Sequence, residues 1–284
     1  MRKHADARTP RIWLLEAIGL SSKTWYRDEE ETDDADDLVW KERILRILID
    51  FPYYGFRRVH AQLLRDGHTI NKKRVQRIMQ EYKLVQKRRK YSIKTTNSRH
   101  ALPTYPNLIA DLIISYPEHV WVADITYIRL PNGKFCYLAT VLDIFTRRPR
   151  GWALAEHMRE ELVVEALESA LKRYEAPEYF HSDRGGQYCG KEHTAILTAH
   201  KVRISMAATG VSVDNAFAES FFRTIKVEEV YLADYADIVD ARRQIAEFID
   251  VVYTTKRLHS SLGYLTPEEF EEAWRKQQKK GRIH

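Results

Sequence analysis

The sequence predicts an α/β fold in which a mixed sheet flanked by helices follows a small all-α region. Three observations predict it. Helical spacing broken by glycine- and proline-containing turns fills residues 38–86. Runs rich in β-branched and aromatic residues, joined by a hairpin signal, appear after residue 106. Short strands then alternate with helices, and the chain ends in helical pattern.

Residues 9–27 pattern as two short helices around Gly19-Leu20-Ser21, with Ser21 or Ser22 as a cap. The stretch 28–37 holds eight acids and no base and is expected to be an exposed linker. Leu38, Ile44, Leu45 and Leu48 suggest the next helix, which Phe51-Pro52-Tyr53-Tyr54-Gly55 stops. Residues 56–65 suggest a second amphipathic helix. Asn71 caps a third, with Val75, Ile78 and Met79 facing inward and Lys72, Lys73, Arg74 and Arg77 on the polar face. Three short helices with such a turn suggest a helix-turn-helix whose third helix enters the major groove. Residues 87–99 contain six basic residues and no acid, and they suggest an extended linker able to track phosphates.

Strands are expected at 119–129, 134–143 and 150–155, with Pro131-Asn132-Gly133 as the hairpin turn. An amphipathic helix at 160–173 follows. A short strand then ends in Asp183 before Arg184-Gly185-Gly186, a helix is expected near 190–200 and a strand at 202–205. Helices at about 214–230, 236–255 and 267–279 close the chain. The expected organisation is an N-terminal helical segment and acidic linker at 1–37, a helix-turn-helix at 38–86, a basic linker at 87–105 and an α/β core at 106–284.

The net charge is +6. Setting aside the eight acids of 28–37 leaves +14 on the remainder, which suits a polyanionic partner. Cys136 and Cys189 are too few for a disulfide framework or a thiolate zinc site, and two reduced thiols are expected. No run of 18 apolar residues and no N-terminal apolar segment is present, so neither a membrane span nor a signal peptide is expected.

Candidate chemistry rests on three carboxylates. Asp124 interrupts an apolar strand, on the face shared by Val122 and Thr126, where a buried acid is costly without a partner. Asp183 ends a strand just before a double glycine. Glu219 lies one turn into a helix that Asp214 or Asn215 can cap, where Phe217, Phe221 and Ile225 are spaced for burial and Glu219, Arg223 and Lys226 form a neighbouring stripe. A Glu219–Arg223 salt bridge is the plainer alternative. Two strand acids and one helix acid converging would suit Mg²⁺, and two such ions can drive phosphodiester displacement. His181 fits a structural histidine or a contact to a metal-bound water. Asp143, on a neighbouring strand, could mimic a metal ligand. No P-loop, G-x-S-x-G or H-E-x-x-H is present.

Five stretches occur in order: 121–128, 137–143, His181-Ser182-Asp183-Arg184-Gly185-Gly186-Gln187-Tyr188, Asp214-Asn215-Ala216-Phe217-Ala218-Glu219, and Lys256-Arg257-Leu258-His259-Ser260-Ser261-Leu262-Gly263-Tyr264. Together, over 119–274, they resemble the retroviral-integrase-type core of bacterial insertion-sequence transposases, the second-frame (OrfB) product of the IS-three family. Asp183 and Glu219 are 36 positions apart, the spacing that family shows. Residues 54–85 resemble the helix-turn-helix upstream of that core. The stretch 206–215 departs from the pattern, lacking the Arg, Lys and Trp that relatives carry there.

The resemblance implies an RNase-H-like core with Asp124, Asp183 and Glu219 as catalytic metal ligands for two Mg²⁺ ions, Mn²⁺ being a substitute. It implies cleavage at element ends and strand transfer by a 3′-hydroxyl. The implied partners are the double-stranded DNA of terminal repeats and target, other copies of the chain on paired ends, and an upstream helix-turn-helix protein joined by frameshifting. The implied location is the bacterial cytoplasm, at the nucleoid. Candidate DNA contacts are Arg57, Arg58, Lys72, Lys73, Arg74, Arg77, Lys87, Arg88, Arg89, Lys90, Arg184, Arg223, Lys226, Lys256, Arg257 and His259. A catalytically silent DNA-binding regulator and a structure-specific nuclease on the same fold are the alternatives. Retention of all three acids speaks against the first, and joined products would exclude the second.

Overall fold

A computed structural model describes residues 34–84, 104–131, 133–207 and 216–281. The expected helices at 9–27 and the basic linker at 87–99 lie outside them.

Three helices open the described chain: α1 (Asp34–Asp50), α2 (Phe56–Arg65) and α3 (Lys72–Glu81). The Asn71 side chain accepts the Lys73 amide at 2.8 Å, the cap expected of it. Val75, Ile78 and Met79 are buried, as expected. The helix that the spacing of 38–48 suggests is α1. Leu38 and Leu45 are exposed, and Trp40, Ile44 and Ile47 form the inner face at i, i+4, i+7. The helix also starts earlier than expected, because the end of the acidic run belongs to it. Asp37 is buried, receiving Arg74 Nε at 2.9 Å and pairing with Arg77 at 2.7 Å. It therefore ties α1 to α3 and is not part of a solvated linker.

The core is a five-stranded sheet in the order β3-β2-β1-β4-β5. Its strands are β1 (Val120–Arg129), β2 (Phe135–Asp143), β3 (Pro149–Ala155), β4 (Tyr179–Ser182) and β5 (Arg203–Met206). β1, β2 and β3 pair antiparallel, while β4 pairs parallel to both β1 and β5. The β1–β2 turn has Gly133 at φ +79°, a conformation that glycine adopts without strain. Helices α4 (Glu160–Leu171) and α5 (Lys191–Ala199) cover one face, over Trp121, Ala123, Val141 and Phe180. The other face packs Val120, Val122 and Ile128 against α6 (Ala216–Ile225), α7 (Ile238–Ala246) and their π-helical continuations, Lys226–Val230 and Glu247–Lys256. Alternation along β1 thus feeds two separate cores, and each large apolar side chain buried is worth about 1.5–3 kcal/mol. A final helix, α8 (Pro267–Gly281), follows a short 3₁₀ turn.

The three N-terminal helices are not self-contained. Leu258, from the far end of the chain, lies in their core with Ile44, Val59 and Val75. The Leu258 amide donates to the Tyr54 hydroxyl at 2.7 Å, and Arg58 Nε donates to the Leu258 carbonyl at 3.0 Å. No helix among the described residues is long and apolar enough to cross a membrane.

Candidate active site

Strand register brings the two aspartates together. Val122 is the parallel partner of His181, so Asp124 and Asp183 each stand two residues further on, side by side where β1 and β4 open at the carboxyl end of β4. Neighbouring strands lie about 4.8 Å apart, so two side chains at this offset face one space. Asp124 also faces the same side as Val122, toward α6, which carries Glu219.

The charges confirm this proximity. Burial first, and then the like charges of Asp183 and Glu219, push the Asp124 carboxyl up to about 7, while the Ile125 amide at 2.8 Å and the Lys226 ammonium pull it down. Tyr188 is a second witness. Its buried phenol is raised by burial and then by both aspartates. Asp183 is braced by the Gly185 amide at 2.9 Å. A Cβ on Gly185 would stand 2.9 Å from that carboxylate oxygen, so the turn needs its glycine. Glu219 is exposed on α6, and among the described residues it makes no ion pair with Arg223. No three His, Cys, Asp or Glu side chains among the described residues stand close enough together to hold one ion. The trio is therefore gathered but open. Its oxygen-only donors are what a hard divalent cation takes.

The remaining candidates divide. Lys226 begins the first π-helical segment, half-buried, 4.5 Å from the centre of the Tyr127 ring, and its charge reaches Asp124. His181 is buried with Nδ1 2.8 Å from the Ser205 hydroxyl, a structural role. Arg184 Nε donates to the Ala207 carbonyl at 2.9 Å. Arg57, Lys72, Lys73, Arg223 and Lys256 are exposed, as DNA contacts must be. Arg74 and Arg77 are held by Asp36 and Asp37. Lys87, Arg88, Arg89 and Lys90 lie outside the described residues.

Three expectations are corrected. Arg257 is 3% exposed and forked onto Glu228 at 2.6 and 2.7 Å, so it is not offered at the surface. His259 is 7% exposed, and burial followed by the charges of Arg257 and Arg58 drives its pKa down to about 2. Phe217, expected to be buried, is 37% exposed and lies 3.9 Å under the Arg147 guanidinium, and Ala218 and Phe222 take the inner face with Phe221 and Ile225. Asp143 is no impostor in the site. It is fully buried and receives the Thr146 amide at 2.7 Å and the Glu118 amide at 2.7 Å, with Arg150 at 3.8 Å.

Sequence reasoning missed the network around Asp143. Arg150, fully buried, pairs with Glu118 at 2.9 Å and with Glu271 at 2.8 Å, and so pins α8 to the sheet. Nothing local in the sequence signals a contact that joins residues so far apart. It also missed Arg147, whose left-handed φ of 61° is invisible in a Thr-Arg-Arg-Pro turn.

Comparison with known proteins agrees with this architecture. The family described as "Integrase core domain" matches residues 115–212, a second of the same description matches 200–267, and "HTH-like domain" matches 34–91. An uncharacterized 31 kDa protein of insertion element IS600 from Shigella sonnei is 35% identical, covering 92% of this chain and 98% of its own length. Transposase InsF for insertion sequence IS3A, from Escherichia coli K12, is 36% identical, covering 77% of this chain and 76% of its own. The solved magnesium complex of the HTLV-2 integrase catalytic core is 14% identical with a TM-score of 0.44, covering 55% of this chain and 97% of its own, a likeness too slight to argue from.

Proposed function

The chain belongs to the insertion-sequence transposases of the IS3 kind, and on that premise we propose that it cuts the ends of its element and joins them to new DNA in a Mg²⁺-dependent reaction, with Asp124, Asp183 and Glu219 as the metal-holding carboxylates. The observation that supports this best is the placement of Asp124 beside Asp183 by strand register, with a carboxyl pushed to about 7 by burial and by its two acidic neighbours.

Each residue then has a task. Asp124 and Asp183, fixed by the Ile125 and Gly185 amides, present a rigid pair of oxygens. Glu219 approaches from a separate element, α6. Lys226 offsets part of the charge before any cation arrives. Two divalent ions, when bound, would supply an activated nucleophile and stabilise the leaving oxygen. No protein nucleophile is needed, and a 3′-hydroxyl serves as the attacking group in strand transfer. The exposed Arg57, Lys72 and Lys73 on the helical head, and Arg223 and Lys256 on the core, serve as phosphate contacts. The working form is a multimer on paired ends, joined to an upstream helix-turn-helix protein by frameshifting.

The test is incubation with the element's own end sequences and Mg²⁺, comparing wild type with Asp183→Asn. Cleaved and joined products from wild type alone are expected, with DNA binding retained by both. Equal cleavage by the two proteins would remove the site assignment. Cleavage without joining would favour a nuclease.

A further inference from the structure

Between the helical head and the core lies a cavity of about 360 Å³ whose walls include Arg58, Arg147, Phe217, Ser220, Arg257 and His259. Three guanidiniums and one neutral imidazole share it; Arg257 is forked onto Glu228, and the charge of Asp143 also reaches Arg147. Arg147 Nε and His259 Nε2 are both buried with no hydrogen-bond partner among the described residues. His259 is neutral and gives its one ring N–H to the Tyr253 carbonyl, so its Nε2 is an acceptor and the unmatched donor is Arg147 Nε. Buried donors are ordinarily matched, and one left over in a positive cavity points to a missing acceptor. Arg147 is held there by a left-handed backbone conformation, φ 61°, that non-glycine residues adopt rarely and that concentrates at functional sites. It stacks on Phe217, which leaves its fork open at the edge of the ring. Ser220 is the residue after Glu219 on α6, so the cavity mouth adjoins the carboxylate stripe of the same helix.

We propose that this cavity is a phosphate-binding site, gripped chiefly by Arg147 with Arg58, for one phosphodiester of the DNA strand that runs past α6. It rests on the reading of the chain as a DNA-cutting enzyme and adds a contact between head and core that the carboxylates do not need. An anion bound there bridges α2, α6 and the 257–261 corner, so it couples grip by the head to the position of Glu219.

The test is binding of the full chain to a labelled element-end duplex in the absence of divalent ions, read by fluorescence anisotropy across a salt series. Arg147→Gln is expected to lower the slope of log K against log salt by about 1 and to weaken binding to every sequence, while Arg147→Lys keeps the slope. Ser220→Asp, at an exposed position that tolerates substitution, puts an acid at the mouth and is expected to weaken binding likewise. A wild-type slope in both Arg147→Gln and Ser220→Asp, each shown folded by its melting curve, overturns the proposal. Stabilisation by inorganic phosphate that Arg147→Gln abolishes, with unchanged DNA slopes, also overturns it and assigns the cavity to a free anion. Because no metal is present, failure of the carboxylate assignment leaves these slopes untouched, and failure here leaves the cleavage test untouched.

Discussion

Two groups of three acids gather around the same sheet, each with one member on a covering helix, and behave in opposite ways. Glu118, Asp143 and Glu271 meet Arg148, Arg150 and Arg275, three acids against three guanidiniums. Asp124 meets the like charges of Asp183 and Glu219, with Lys226 as an offsetting cation. The first group closes on itself, and the charge it buries is spent on holding α8 to β2 and β3. In the second, like charges face one another across Asp124. Acids in similar numbers thus make a strut where guanidiniums meet them and, on the proposed reading, a cation site where they meet one another.

The comparison breaks most severely at Arg150. Arg150→Ala leaves buried carboxylates unpaired and is expected to cost about 3–5 kcal/mol in urea unfolding. A loss below about 1 kcal/mol would mean the network is not the strut described. Asp183→Asn acts oppositely. It removes repulsion from Asp124, so the metal-free protein should melt no lower than wild type, while cleavage falls on the order of 10³-fold as several kcal/mol of charge stabilisation are lost. A destabilised Asp183→Asn protein would place that residue in the strut class.

Acidity sharpens the distinction further. Burial and its acidic neighbours push the Asp124 carboxyl from an ordinary 3.8 up to about 7, so the folded state holds the proton more tightly. This carboxyl therefore withdraws stability as pH rises from about 4 to about 7. Glu118, also raised to about 7 by burial, contributes with the same sign. Comparison with Asp124→Asn isolates the first. Without divalent ions, the variant should gain a few degrees in Tm over wild type on going from about pH 5 to about pH 8, and Mg²⁺ should shrink that gap. A gap that ignores both pH and Mg²⁺ would contradict the charged site. The smallest effect belongs to an exposed pair. Arg65→Ala, which loses Glu269, is expected to cost about 0.2–1 kcal/mol in the same unfolding assay.

What could be read from the sequence was what is local or periodic. The period-2 pattern of 120–128 revealed the strand and the face of Asp124, the Pro-Asn-Gly turn revealed the hairpin, and Asn71 revealed its own helix. The ordered motifs revealed the family. What stayed hidden depends on partners distant in the chain. A basic triplet such as Lys256, Arg257 and His259 looks like surface until Glu228 is found across from Arg257. Phe217 fits the buried stripe of α6 by spacing, but the spacing fits Ala218 and Phe222 as well, and only the direction of packing decides. Asp37 looks like the end of an acidic tail until α3 brings Arg74 and Arg77 to it.

Leu258 has a consequence for the order in which the molecule can be made. The helical head is translated first, yet its core is completed by a side chain that leaves the ribosome some 200 residues later, together with the amide that meets Tyr54 and the carbonyl that meets Arg58. A nascent or prematurely terminated product has a head with a gap in its interior. The helical head thus matures only when the α/β core behind it is nearly whole.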